Sequence, residues 1–179
     1  MLKNGSIAGI RRWTAVFSFA LLGVGPATAA TAEEGAVLAA REWVKAVLAN
    51  DVDAQMDLLP KKLYPSPPAR ERAKNMRLHE KEMALVNKEK YLSFDTQPPS
   101  STGTVGKVTM VVIPYKAIFF SKDVKYERNS SLLAFREEGS SDWGVMDGSG
   151  QNPRSLRTVI PGYLGAPRIP PATSKILSE

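Results

Sequence analysis

The chain contains no cysteine and one histidine in 179 residues. The first absence excludes disulfides, thiol redox chemistry, cysteine metal sites and lipid attachment at a cysteine. The second leaves a zinc site dependent on carboxylates for its remaining ligands, an uncommon donor set. Neither a metal nor a cofactor is therefore expected. No P-loop, glycine-rich dinucleotide pattern, H-E-x-x-H or G-x-S-x-G occurs. Acidic residues are missing before Glu33. Long hydrophobic runs are missing too: Trp13 to Val24 is about a dozen residues, where a membrane-spanning helix needs about 20.

What stands in those first positions is ordered. Lys3, Arg11 and Arg12 give a positive start, the apolar run follows, Gly25-Pro26 breaks it, and Ala27-Thr28-Ala29 supplies a small-x-small pattern. That order describes a secretory signal peptide over residues 1–29. Cleavage after Ala29 is expected, with Ala30 and Ala32 as alternatives. Arg11-Arg12 lacks the flanking pattern of a twin-arginine signal, which favours the general secretion route. A periplasmic or secreted protein is expected, with no transmembrane span after cleavage. The formal charge of +6 falls to +3 without the three basic residues of the signal. Nucleic-acid-binding domains carry a stronger basic footprint, so nucleic acid is set aside as a partner.

About 150 mature residues suffice for one domain with its own core. From Glu33 to Asn50, Ala36, Ala40, Trp43, Val44, Val47 and Leu48 recur at helical spacing, with Arg41, Glu42 and Lys45 on the other side. Thr31 and Glu34 fit a capping box. Asp53 is read as the N-cap of a short second helix ending at Leu59 before Pro60. A third helix is read from Ala69 to about Lys88. The second half is β-rich. Tyr91–Thr96 reads as a strand, 97–106 as a loop, and Lys107–Phe120 as a central strand apolar on both faces, with a bulge or bend at Pro114. Two further strands, Val124–Glu137 and Trp143–Met146, complete an antiparallel meander. Leu156–Ile160 suggests an edge strand. The Pro/Gly-rich segment 161–179 reads as a loosely held tail.

The expected class is α+β, with N-terminal helices packed on a curved antiparallel sheet, over residues 31–160. Two segments, AREWVKAVLANDVDAQMDLLP (Ala40–Pro60) and SSLLAFREEGSSDWGVMDGSG (Ser130–Gly150), resemble the opening helix pair and closing hairpin of the nuclear transport factor two-like (SnoaL-like) superfamily. The resemblance implies a cone-shaped roll whose sheet wraps a long helix around a cavity. Lys61–Pro68 departs from it, being too short for the strand hairpin that members often carry between the second and third helices. That superfamily holds both enzymes and non-catalytic binding domains, so the fold does not choose the chemistry.

Three groups of residues are candidates for a site. His79, with Asp57 or Asp95 to orient it, would give acid/base chemistry in such a cavity; otherwise it borders the core beside Met76, Met83 and Val86. Arg70, Lys74, Arg77, Lys81 and Lys88 share one helix face, within about 60° at helical pitch. They make either a docking face for an acidic protein or anionic envelope component, or a solvated face balanced by Glu71, Glu82 and Glu89. Trp143 and Asp147 alternate onto one strand face, either lining a pocket or serving as core and turn. The expected function is a non-catalytic binding or accessory module, with a small-molecule lyase or isomerase as the alternative and a homodimer through the sheet compatible with both.

Overall fold

The computed structural model describes residues 27–61, 65–158 and 160–177. The expected signal segment, up to Pro26, lies outside the described residues. Three helices come first: α1 (Ala27–Leu48), α2 (Val52–Asp57) and α3 (Pro67–Val86). Helix α1 already runs through Thr31, so the expected capping box does not start it. Its buried face is the expected one, Ala36, Ala40, Trp43 and Val44, except that Leu48 is exposed. The N-cap of α2 is Asp51 rather than Asp53; its carboxylate accepts from the Ala54 N–H at 3.0 Å. Asp53 is left in the first turn, where a negative charge suits the helix dipole.

The sheet is open, antiparallel and six-stranded: β1 (Lys90–Thr96), β2 (Ser101–Val105), β3 (Val108–Ser121), β4 (Val124–Glu137), β5 (Gly144–Asp147) and β6 (Thr173–Ile176). β3 and β4 form a long central hairpin, joined through Ser121↔Val124. Each carries two short strands on its outer edge, β1 and β2 on β3, β5 and β6 on β4. The segment expected as a loop, 97–106, thus contains β2. Thr102, Thr104 and Val105 suit a strand half in solvent, and the backbone of Ser101–Val105 pairs with Val108–Val112.

Pro114 does not bend β3, which runs in unbroken register with β4 (Pro114↔Ser131). In an antiparallel strand the N and C=O of one residue point to the same side. The Pro114 carbonyl accepts from the Gln97 N–H at 2.8 Å. Its nitrogen therefore faces the place where the chain leaves β1 for β2 and no ladder donor is required. The register irregularity lies instead between Tyr91 and Ser93.

β3 and β4 are apolar on both faces because both faces are covered. On one, Val111, Ile113, Tyr115, Leu132, Ala134 and Val145 pack against Ala36, Ala40, Trp43 and Val44 of α1. On the other, Met110, Val112, Leu133 and Phe135 pack against Leu156, Ile160 and Tyr163. That second cover corrects two expectations. Leu156–Ile160 is no edge strand: Pro153–Leu156 forms the short helix α4, whose capping box is made by Asn152 and Ser155. The segment after 160 is no loose tail either. Tyr163 is buried with its hydroxyl donating to the Pro167 carbonyl at 2.6 Å, and β6 pairs with β4. Its prolines break regular structure only locally; Tyr163 and the partly buried Ile169 still join the core.

Candidate functional site

Helix α3 decides two of the three candidate groups. Of its apolar residues only Ala73 is buried. Met76, Met83, Leu85 and Val86 are 44–74% exposed. His79, expected at the border of the core, stands 72% exposed, its Nδ1 3.9 Å from Glu82 Oε2 one turn along the same helix. Asp57 is instead held by Arg70, and Asp95 is exposed on β1, opposite Lys116. Phe94 and Tyr115 occupy the other face of that sheet. The enclosed histidine–carboxylate pair of the acid/base reading is not formed.

The basic face of α3 does appear as one inward-turned stripe from Arg70 to Lys81, but the helix ends at Val86, so Lys88 lies beyond it with a left-handed φ. Arg70 Nη2 donates to Asp57 Oδ1 at 2.6 Å and Lys74 Nζ to Asp53 Oδ1 at 2.6 Å. Lys81 donates to the Asn50 carbonyl at 2.9 Å and Lys88 to Asp123 Oδ2 at 2.8 Å. Arg77 pairs with Glu80 on its own helix. Asp53 and Asp123 raise the pKa of Lys74 and Lys88 above the ordinary ammonium value by hydrogen bonding and charge. The stripe thus attaches α3 to α2, to the end of α1 and to the β3–β4 turn. Sequence spacing identified its geometry but not its partners, because Asp53, Asp57 and Asp123 are distant in sequence.

Trp143 and Asp147 share a sheet face as expected, yet serve different places. Asp147 Oδ1 accepts from the Ser149 N–H at 2.8 Å and so starts the turn after β5. Its two oxygens also lie 3.4 and 3.3 Å from the Tyr115 hydroxyl. Burial, then the Asp147 charge, raises the pKa of Tyr115, with Ser130 and Arg128 acting the other way. A phenol held neutral beside a carboxylate fixes that carboxylate's orientation. This pair is structural support for the sheet face under α1, where Phe94 stacks on Tyr115 at 4.4 Å.

Trp143 belongs to a cleft. The chain from Leu58 to Lys61 crosses β5, with the Val145 N–H donating to the Leu58 carbonyl at 2.6 Å. Gly144 permits the crossing, since a Cβ there would lie 2.6 Å from Pro60 Cα. Beside this crossing a cavity of about 560 Å³ opens, lined by Leu59, Pro60, Val108, Phe135 and Trp143. Its polar lining includes Asp57, Glu137, Asp142 and Lys61. Lys61 Nζ donates to Asp142 Oδ2 at 3.0 Å, and this contact lowers the Asp142 pKa. Arg136 stacks on the Trp143 ring at 5.0 Å, fixing the indole by a cation–π contact. A cavity of this size with an apolar floor and few charges suits a small ligand or an inserted side chain.

Of the expected site residues, the cleft unites Asp57 and Trp143. It excludes His79, Asp95, Arg70, Lys74, Arg77, Lys81 and Asp147 from its lining. Sequence reasoning missed Lys61, Phe135, Glu137 and Asp142. Asp142 beside Trp143 after the Gly139 turn was the signal available; the Leu58–Lys61 crossing had none. Among the described residues no cluster of metal-ligating side chains occurs, and no helix is long and apolar enough to cross a membrane.

Fold and cleft together define a class: an α+β domain whose open six-stranded antiparallel sheet is packed on both faces, with a cleft at the β5 end. No family model matches the chain, and no curated protein or solved structure does.

Proposed function

We propose that the chain is an exported, non-catalytic binding module of the cell envelope that holds an amphiphilic small molecule, or an apolar side chain of an envelope partner, in the Trp143 cleft. The observation that carries this reading is the cleft itself: a cavity of about 560 Å³ with an apolar floor and a charged rim. Leu59, Val108, Phe135 and Trp143 would take the apolar body of the ligand. Lys61, Asp142 and Glu137 would orient its polar end. Export rests on the order of basic, apolar and small residues over positions 1–29. A sheet curved around α1, as the resemblance to nuclear transport factor two-like rolls implies, would accord with this use. In this reading the ligand enters at the β5 end rather than beneath α3.

Native mass spectrometry of protein recovered from the periplasmic fraction tests the proposal. A non-covalent mass retained by the native chain, and lost when Ser140, which also lines the cleft, is replaced in Ser140→Arg, is expected. A ligand-free mass from both chains, with no quenching of tryptophan emission by amphiphilic extracts, would sink it.

A further inference from the structure

Strand β6 is weakly anchored where it lies. All four of its residues are exposed, with Ile176 66% accessible, so apolar burial contributes little to its position. Its hold consists of backbone pairing, from Asn129↔Thr173 to Tyr126↔Ile176, and of one ion pair, Lys175 Nζ to Glu127 Oε1 at 2.9 Å. The Leu177 N–H adds a bond to the Lys125 carbonyl. Just before it, Pro170, Pro171 and Ala172 are exposed, whereas Pro167 is buried and Ile169 partly so. Apolar packing therefore holds the chain up to Ile169, and beyond it the hold is mainly backbone pairing with β4. A Pro-Pro hinge is stiff and extended, at about 3.1 Å per residue. Elements with exposed hydrogen bonds and few apolar contacts open at low free energy.

The edge that β6 covers is not neutral toward what replaces it. Glu127 has a side chain only 11% exposed, and Lys116 and Lys175 bind its two oxygens at 2.7 and 2.9 Å. Departure of β6 removes one of the two cations on Glu127, leaving Lys116 and Asn129, and opens a row of backbone donors and acceptors. An uncovered strand edge is a template for another strand. A replacement is selected for a basic residue opposite Glu127.

We infer that the outer edge of β4 at Tyr126–Asn129 is a strand-acceptor site, and that its exchange occupant is the Thr173–Ile176 segment of a second copy of this chain. The second copy satisfies every requirement by construction: the same strand, the same register and a lysine opposite Glu127. Exchange of this strand between copies keeps every backbone pair and the ion pair that the single chain makes. The resulting dimer would be joined at sheet edges, leaving both packed sheet faces and the Trp143 cleft intact. It is independent of the ligand proposed for that cleft.

The test uses two full-length variants, Glu127→Lys and Lys175→Glu. Each loses its own cross-strand pair. Mixed, they restore opposite charges in both exchanged positions. Size-exclusion chromatography with light scattering should show a heterodimer in the mixture at concentrations where each variant alone is monomeric. A fluorescent peptide of residues 168–177 should bind full-length Lys175→Glu about tenfold more tightly than full-length Glu127→Lys, a difference of about 1.4 kcal/mol. Peptide binding without heterodimer formation would overturn the second copy as occupant and leave a heterologous strand. Equal or absent peptide binding to both variants would overturn the acceptor site itself.

Discussion

Helices α1 and α3 are nearly the same length, 22 and 20 residues, and both repeat apolar residues at helical spacing. They are attached by different physics. α1 is held by burial: Ala36 and Ala40 are fully buried against the sheet, and Trp43 meets Phe94 edge-on at 6.1 Å. α3 is held mostly by charge, through Arg70–Asp57, Lys74–Asp53 and Lys88–Asp123, with Ala73 alone buried against α2 and Met76, Met83, Leu85 and Val86 left in solvent. Small residues let α1 approach the sheet closely. α3 brings one small residue, Ala73, into contact with α2, against Val52 and Met56, and its long cationic side chains reach the carboxylates around it. Apolar periodicity shows that a helix has a face, and the size of the residues on that face shows whether a sheet can receive it.

Trp43→Ala should break the α1 side of this comparison most severely. Truncating a buried aromatic costs about 3–5 kcal/mol, read as a lower urea midpoint with an unchanged slope. Acid should act next, on the sheet edge, where charge and burial combine. Lys116, then Lys175, hold Glu127 down to about 2 from an ordinary 4.5. A depressed carboxylate contributes stability above its unfolded pKa, and that contribution is lost as pH falls from about 4.5 to about 2. Glu127→Gln should flatten that part of the stability–pH curve; an unchanged acid limb would show that the ion pairs contribute nothing.

Asp57→Asn should cost under about 1 kcal/mol, as exposed ion pairs do. Its sharper readout is local. Hydrogen exchange along α3 should speed up in the variant, and in the parent chain at 0.5 M salt, where the Debye length is only about 4 Å, while α1 stays protected. Smallest of all, Met76→Gln and Leu85→Gln should change stability by no more than about 0.5 kcal/mol. A larger loss in thermal melts would mean that α3 is buried in solution by something absent from this chain alone.

Legibility followed the range of the interactions. The buried face of α1, the turn role of Asp147 and the doubly apolar β3 were all readable, because each depends on neighbours in sequence or on a period of 3.6 or 2. The stripe on α3 was readable as geometry, yet its meaning changed once Asp53, Asp57 and Asp123 came into contact with it. β2 was obscured by residues that serve equally as loop or strand, Ser101, Thr102, Gly103 and Thr104; pairing with β3 decided between them. Pro114 was misread because the cost of a missing N–H depends on whether a partner strand is present to receive it. Half of the cleft was hidden for the same reason, since the Leu58–Lys61 crossing exists only where Gly144 lets Pro60 lie against β5.

By itself the sequence determined the α+β class, the order of the first three helices, the central hairpin and the exclusion of cysteine chemistry. These follow from local periodicity and composition. Only the tertiary structure decided which helix is buried, which charges are already paired, that the proline-rich C-terminal segment closes a sheet face, and that Trp143 lines a cleft while Asp147 does not. Those outcomes depend on distances between residues far apart in the chain, which no local pattern carries.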